Sequence, residues 1–221
     1  IAEKARLYVS EQYQCFQNTV LPFLKKAAIE LHPIESLRKK EKDKLHSYFE
    51  TQVLPILTPL AVDACHPFPF LGNLRLNLMV MFKEPPESME TQTYLFETDP
   101  ARDSYIKPYA FVEVPSLLPR LIPVSKDGNK NEHHFVLLED LISTNIASLF
   151  PGMKITSCFP FRVTRNQDYD LHEDSVMDLL KSVEAELKDR SNKIAVRLEV
   201  KKGFNQNMLQ ELCGGLEMEE T

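Results

Sequence analysis

The stretch Val53-Leu-Pro-Ile-Leu-Thr-Pro-Leu-Ala-Val-Asp-Ala-Cys-His-Pro-Phe-Pro-Phe-Leu-Gly-Asn-Leu-Arg-Leu-Asn-Leu78 decides how the chain is read. Pro55, Pro59, Pro67 and Pro69 exclude one long helix through it, because each lacks an N–H and drives its predecessor towards extended geometry. Leu54, Ile56, Leu57, Leu60, Val62, Phe68, Phe70 and Leu71 make the same stretch strongly apolar. An apolar run stiffened by proline predicts a buried crossover between two regimes, helical before it and strand-rich after it.

Before the crossover, residues 1 to about 30 predict a helix. Ala5, Tyr8, Val9, Gln12, Phe16, Val20, Phe23, Leu24 and Ala27 recur at three- and four-residue steps, and Pro22 predicts a kink. His32-Pro33 breaks the pattern, and Ser36 offers an N-cap to a second helix with Leu45, Tyr48, Phe49, Gln52, Val53 and Ile56 on one stripe. The charged run Leu37–Lys44 at its start reads either as a solvated helix face or as a polyanion site. Two helices bury little, and the chain opens without methionine inside a helical pattern. A truncated all-α segment of a longer protein is therefore expected over 1–54.

Beyond the crossover, Leu74–Phe82 alternates strictly, with Leu74, Leu76, Leu78, Val80 and Phe82 opposite Arg75, Asn77, Met79 and Met81. Residues 84–108 read as a long polar loop. Short strands are expected at Tyr109–Val114 and within Leu117–Val124. The latter pairs with His133–Leu137 through a hairpin centred on Asp127-Gly128. A helix follows over 138–149, stopped by Pro151-Gly152. Ile155–Thr164 alternates again, and Pro160 predicts an edge strand or a bulge there. Asp170 and Glu173 resemble a capping box opening a helix over 173–190, before a strand at Ile194–Val200 and a short helix from Asn205. The whole predicts an α+β fold over 55–221, one mixed sheet with helices packed on one face. Its strand–helix–strand unit over 155–200 implies a right-handed parallel crossover.

The chain is 43% hydrophobic and 26% charged, enough for a packed core. Its net charge of −6 disfavours nucleic acid as a general partner. Cys15, Cys65, Cys158 and Cys213 lie far apart without metal-ligand spacing, which predicts reduced thiols in a cytoplasmic protein. Peripheral association with a membrane stays open, but no apolar run approaches the roughly 20 residues of a spanning helix. Phosphate-cradling and dinucleotide-binding glycine motifs are absent, as are serine-hydrolase and zinc-protease signatures. His66 reads as a turn histidine. His133 and His134 are adjacent in a strand, so their rings point to opposite faces and share no metal.

The polar group that stands out is Phe161-Arg-Val-Thr-Arg-Asn-Gln-Asp168. Arg162 lies on the face opposite Phe161, and Arg165 and Asn166 follow at the strand exit, a place suited to anions. Arg carries a planar fork of donors that matches phosphate oxygens. Arg75, Asn77 and Arg197 stand on the polar faces of their own strands and are further candidates for one groove. Three readings stay open for the six residues: ion pairs within the chain, phosphate contact, and contact with another subunit.

Several separated blocks resemble the polyphosphate kinase family, in order. They are Val53-Leu-Pro-Ile-Leu-Thr-Pro-Leu-Ala-Val-Asp63, His66-Pro-Phe-Pro-Phe70, Leu74-x-Leu-Asn-Leu78, Val114-Pro-x-x-Leu-Pro-Arg120, Leu138-Glu-Asp-Leu-Ile142, Leu149-Phe-Pro-Gly-Met153, Phe161-Arg-Val-Thr-Arg-Asn166 and Val196-Arg-Leu-Glu-Val200. Ala64-Cys65 departs from the usual Pro-Ala. The resemblance implies that 1–54 ends the family's helical N-terminal domain and that 55–221 is its head domain. Enzymes of this family move the terminal phosphate of ATP onto polyphosphate, with Mg²⁺, through a phosphohistidine in catalytic C-terminal domains. No histidine here stands in that motif, so the resemblance implies no catalytic residue and no bound ATP or Mg²⁺ in this segment. It implies a role in homo-oligomer formation and in shaping the tunnel beside the chain's own catalytic domains. A regulatory or polyanion-binding module of the same fold is the alternative.

Overall fold

The structure is a computed structural model that describes residues 2–62, 68–83, 109–124, 133–166 and 194–218. The chain forms two compact units. The first gathers Ile1–Ile56 with Pro115–Ile146, and the second gathers Leu57–Val114 with Ala147–Thr221. The expected loop at 84–108, the hairpin tip, the 170–173 capping box, the 173–190 helix and His66 lie outside the described residues.

In the first unit, α1 (Ala2–Cys15) runs through a π turn (Phe16–Val20) into α2 (Leu21–Lys26). Pro22 has no N–H for the carbonyl of Asn18, and the widened turn is where the helical ladder adjusts. The helix stops earlier than its periodicity suggested. Ala28 turns the chain with a positive φ of 59°, and β1 (Ile29–Leu31) begins at once. The apolar stripe of this helix is not buried: Tyr8, Phe16, Val20 and Phe23 are exposed.

Ser36 is not the cap of the next helix. It sits in a 3₁₀ turn (Ile34–Ser36) and its Oγ donates to the Pro33 carbonyl at 2.7 Å. Helix α3 (Lys39–Tyr48) is capped two residues later, where the Arg38 N–H donates to Glu41 Oε2 at 2.9 Å. Lys39, Lys40, Asp43 and Lys44 of α3 are exposed, whereas Glu41, Leu45, Phe49 and Val53, four apart, are buried. The coil then continues through a π turn (Phe49–Val53) and a 3₁₀ turn (Leu54–Ile56), so it carries the first proline, Pro55, and ends at Ile56, before Pro59.

Strands β5 (Leu121–Pro123) and β6 (His133–Leu137) pair antiparallel, as the hairpin reading required. The surprise is β1, which pairs parallel with the other side of β6, giving a mixed sheet of order β1-β6-β5. Helix α4 (Leu138–Thr144) follows β6 directly and buries Leu138, Leu141 and Ile142. The expected longer helix is split at Asn145, whose Nδ2 donates to the Leu141 carbonyl at 2.9 Å before a 3₁₀ turn (Ile146–Leu149).

The second unit is built on an antiparallel sheet of order β2-β4-β3-β7-β8. Its strands are β2 (Pro59–Val62), β3 (Leu76–Phe82), β4 (Tyr109–Glu113), β7 (Ile155–Arg165) and β8 (Ala195–Val200). Thus the fold is α+β, but with two sheets rather than one. Pro59 opens an edge strand, where a missing donor costs least. The crossover stretch is only partly buried: Leu57, Val62 and Leu71 are covered, while Ile56, Leu60 and Phe70 are exposed.

Two expectations about β7 are corrected. It runs antiparallel to β8, with Phe161 opposite Val200 and Arg165 opposite Ala195. Asn166 and Ile194 lie at the same end of the sheet, where the Asn166 N–H donates to the Ile194 carbonyl at 2.9 Å, so β7 and β8 are not joined as a parallel crossover pair. Nor is β7 an edge strand. Pro160 lies opposite Leu78 of β3, and its backbone faces the point where β8 ends. Its carbonyl accepts from Lys201 N–H there at 3.3 Å, so the absent N–H breaks no central ladder bond. Helix α5 (Gln206–Gly215), capped by Asn205 Oδ1 on the Asn207 N–H at 2.8 Å, covers one face of the sheet. Met208, Leu212 and Leu216 pack there with Met79, Met81, Tyr109, Phe111, Phe161 and Val163.

Candidate functional site

Cross-strand register distributes the six candidate residues. Arg162 stands directly opposite Glu199 on β8, and Thr164 opposite Arg197. The Arg162 Nε donates to Glu199 Oε2 at 2.9 Å, and Arg197 Nη2 donates to Glu199 Oε1 at 3.0 Å. Two guanidinium groups thus bracket one carboxylate at the outer edge of the sheet. The cluster carries a net positive charge and is half exposed, so it has the chemistry to meet an anion or an acidic surface.

Arg165 is placed differently because a bulge between Thr164 and Arg165 shifts the register. Its N–H donates to Asn73 Oδ1 at 2.8 Å, and its Nε donates to the Leu71 carbonyl at 2.9 Å. The guanidinium also lies 4.7 Å above the centre of the Phe70 ring. Burial against this turn lowers its pKa from the usual arginine value, since desolvation disfavours the charged form. Arg165 therefore ties the end of β7 to the 70–73 turn. Asn166 closes the same strand through its backbone N–H.

Arg75 and Asn77 do not join Arg162. Asn77 lies opposite Phe161, and Arg162 lies opposite Leu76, so Asn77 and Arg162 are on different faces of the sheet. Asn77 is buried, and its Nδ2 donates to the Arg75 carbonyl at 3.0 Å. The Arg75 Nη1 stands 3.8 Å from Glu113 Oε1. The structure thus brings together Arg162 and Arg197 only, and a single groove lined by all six does not form.

Two polar groupings in the first unit escaped the sequence reading. Glu139 is a buried carboxylate on α4, held by Arg120, whose Nε donates to Oε1 at 2.9 Å and to Oε2 at 3.2 Å. The hydrogen bond to Glu139 raises the Arg120 pKa above its already high value, although burial acts against it. In the other, Glu30, His32 and His134 gather because β1 lies beside β6. The only signal for that was the Glu-x-His spacing at 30 and 32. Separately, a cleft of about 390 Å³ between α3 and the β5 region is lined by Glu41, Lys44, Leu45, Tyr48, Pro119, Ile122, Pro123 and Val124. Among the described residues, no helix is long and apolar enough to cross a membrane.

Known proteins place this architecture. Residues 40–221 match the family model for the polyphosphate kinase middle domain. The chain is 39% identical over 221 residues to a polyphosphate kinase of Bacillus cereus and 40% identical over 222 residues to that of Bacillus anthracis, covering all of this chain in each case. It spans 29% of the length of those relatives. The fold is also that of the crystal structure of polyphosphate kinase from Porphyromonas gingivalis, with a TM-score of 0.68 at 20% identity. That likeness covers 98% of this chain and 28% of the other. With the middle-domain match extending over most of its length, the chain belongs to the polyphosphate kinase family.

Proposed function

We propose that the chain is the head segment of a phosphotransferase that lengthens polyphosphate from ATP, and that it supports this reaction without performing it. The observation that carries the reading is the middle-domain match over residues 40–221, in a chain spanning 29% of relatives named for the activity. In this reading the terminal phosphate of ATP passes through a phosphohistidine located in catalytic domains outside the segment. Residues 1–54 close a helical N-terminal domain and 55–221 form the head, of which Pro115–Ile146 packs with the first unit. The head serves subunit association and the shaping of the tunnel region.

Arg162 and Arg197 are the residues we assign to phosphate or to a second subunit, since their half-exposed forks face outward around Glu199. Arg165, Asn166, Arg75 and Asn77 shape the strands beside them. Glu199, already bracketed by two guanidinium groups, does not suit Mg²⁺, which takes free carboxylate and water oxygens. ATP and Mg²⁺ belong in this reading to the catalytic domains.

The test uses the full-length protein that carries this chain. With ATP and Mg²⁺ it forms polyphosphate, and Arg162→Ala weakens either turnover or subunit association, read by steady-state kinetics and sedimentation. A full-length protein that binds polyphosphate and forms none from ATP would favour the regulatory module instead.

A further inference from the structure

We propose that Glu30, His32 and His134 form a binding site for a transition-metal dication of the zinc class, clipping the edge strand β1 to β6. The site stands independently of the phosphotransfer reading and of the arginine cluster.

Strand pairing builds it. Residues two apart on a strand share a face, so Glu30 and His32 project to the same side. Parallel register sets Glu30 beside His134, which brings the third side chain to that side. His32 lies just beyond β1, and its N–H donates to the Phe135 carbonyl at 2.8 Å, which holds the chain in register as far as the ligand position.

The distances fit a small coordination sphere. His32 Nε2 is 2.9 Å from His134 Nδ1 and 3.4 Å from Glu30 Oε2, and all three ligand atoms lie within 4.8 Å of one another. In a tetrahedral zinc site, with bonds of roughly 2.0–2.1 Å, neighbouring ligand atoms stand about 3.3–3.4 Å apart. Small side-chain adjustments therefore open room for an ion. The rings are tilted by 49° with centroids 5.0 Å apart, so they do not stack face to face.

Chemistry selects the metal. Two imidazoles and one carboxylate suit zinc, copper or nickel, whereas magnesium and calcium take oxygen ligands. His134 is 9% exposed and the His32 side chain 14%, which limits the competition from water. The Glu30 side chain is 31% exposed and leaves one side open for a water as fourth ligand. Lys25 Nζ lies 3.8 Å from Glu30 Oε1, which leaves Oε2 for the ion; this lysine is mostly exposed and free to swing outward. Without the ion, His32 Nε2 and His134 Nδ1 share one proton in their 2.9 Å hydrogen bond; on binding, the ring that carries it shifts tautomer, so that His32 ligates through Nε2 with its proton on Nδ1 and His134 through Nδ1 with its proton on Nε2.

The test titrates chelator-stripped full-length protein with Co²⁺, followed by Zn²⁺ competition, without Mg²⁺. One equivalent is expected to give the visible absorption of low-symmetry Co²⁺ and to be displaced by Zn²⁺. Glu30→Gln, His32→Gln and His134→Gln are each expected to weaken that equivalent at least ~10-fold, while His133→Gln, an exposed neighbour, leaves it unchanged. Since buried His134 also supports the fold, Glu30→Gln and His32→Gln, with circular dichroism matching the wild type, decide the matter. Absence of the Co²⁺ signal, or equal binding by wild type and these two variants, overturns the site.

Discussion

Glu199→Gln is the substitution that most sharply separates the readings of the arginine pair. It removes the one carboxylate that accepts from Arg162 at 2.9 Å and from Arg197 at 3.0 Å. The side chains of Arg162 and Arg197 are 43% and 46% exposed and that of Glu199 24%, so solvent screens both pairs. Each pair then contributes on the order of 0.5 kcal/mol rather than several. Loss of both, with the repulsion left between two guanidinium groups, gives a destabilisation of about 1–1.5 kcal/mol. For a chain of this size that lowers Tm by roughly 2–6 °C. The assay is denaturant unfolding of wild type, Glu199→Gln, Arg162→Met and the double variant at 0.1 M and 1 M salt. The Debye length falls from about 10 Å to about 3 Å between those conditions, so the penalty shrinks at high salt. A Glu199→Gln protein as stable as wild type at low salt, or a penalty indifferent to salt, would refute the ion-pair account. The substitution also releases two forks of donors. Tighter polyphosphate binding by this variant is the result expected if the arginines contact phosphate.

Other expectations follow from particular residues. A Cβ on Gly215 would overlap the Phe68 ring, which is itself packed edge-on against Phe111 at 5.3 Å. Gly215→Ala should therefore destabilise by about 1–3 kcal/mol despite the better helix propensity of alanine, as read by urea unfolding. Burial, with the nearby charge of Glu211, raises the Tyr109 pKa well above that of a free tyrosine. The folded state thus keeps its proton. Its contribution to stability is complete below about pH 10, the unfolded value, and is lost as pH rises above it. Tyr109→Phe should flatten that alkaline loss, and ultraviolet titration should show one tyrosine ionising last. Ala28 holds a φ of 59° at the end of α2, so Ala28→Gly should stabilise by about 0.5–1 kcal/mol in thermal unfolding.

Much of this architecture was legible because alternation and turn chemistry are local. The strands at 76–82, 155–165 and 195–200, the β5–β6 hairpin and the last helix all carry their own period. What was not legible depends on partners. A three-residue strand such as β1 has no period to detect, and it extends directly from a helix whose spacing masks it. The direction of β8 is set by its pairing with β7, which no pattern within β8 records. The face of β3 that carries Asn77 reads as polar by alternation, yet Met79 and Met81 on it form core beneath α5. Those methionines were the clue that both faces are covered. The candidate arginines were visible as residues, but their grouping was not. Arg162 meets Glu199 through cross-strand register, and a bulge turns Arg165 away to the 70–73 turn.

The central claim is that this segment positions a phosphotransfer carried out elsewhere in the protein. The most direct measurement is to label the full-length protein with radioactive ATP and locate the acid-labile phosphate by peptide mapping. The account predicts a single phosphohistidine outside residues 1–221. Label on His32, His46, His66, His133, His134 or His172 would contradict it.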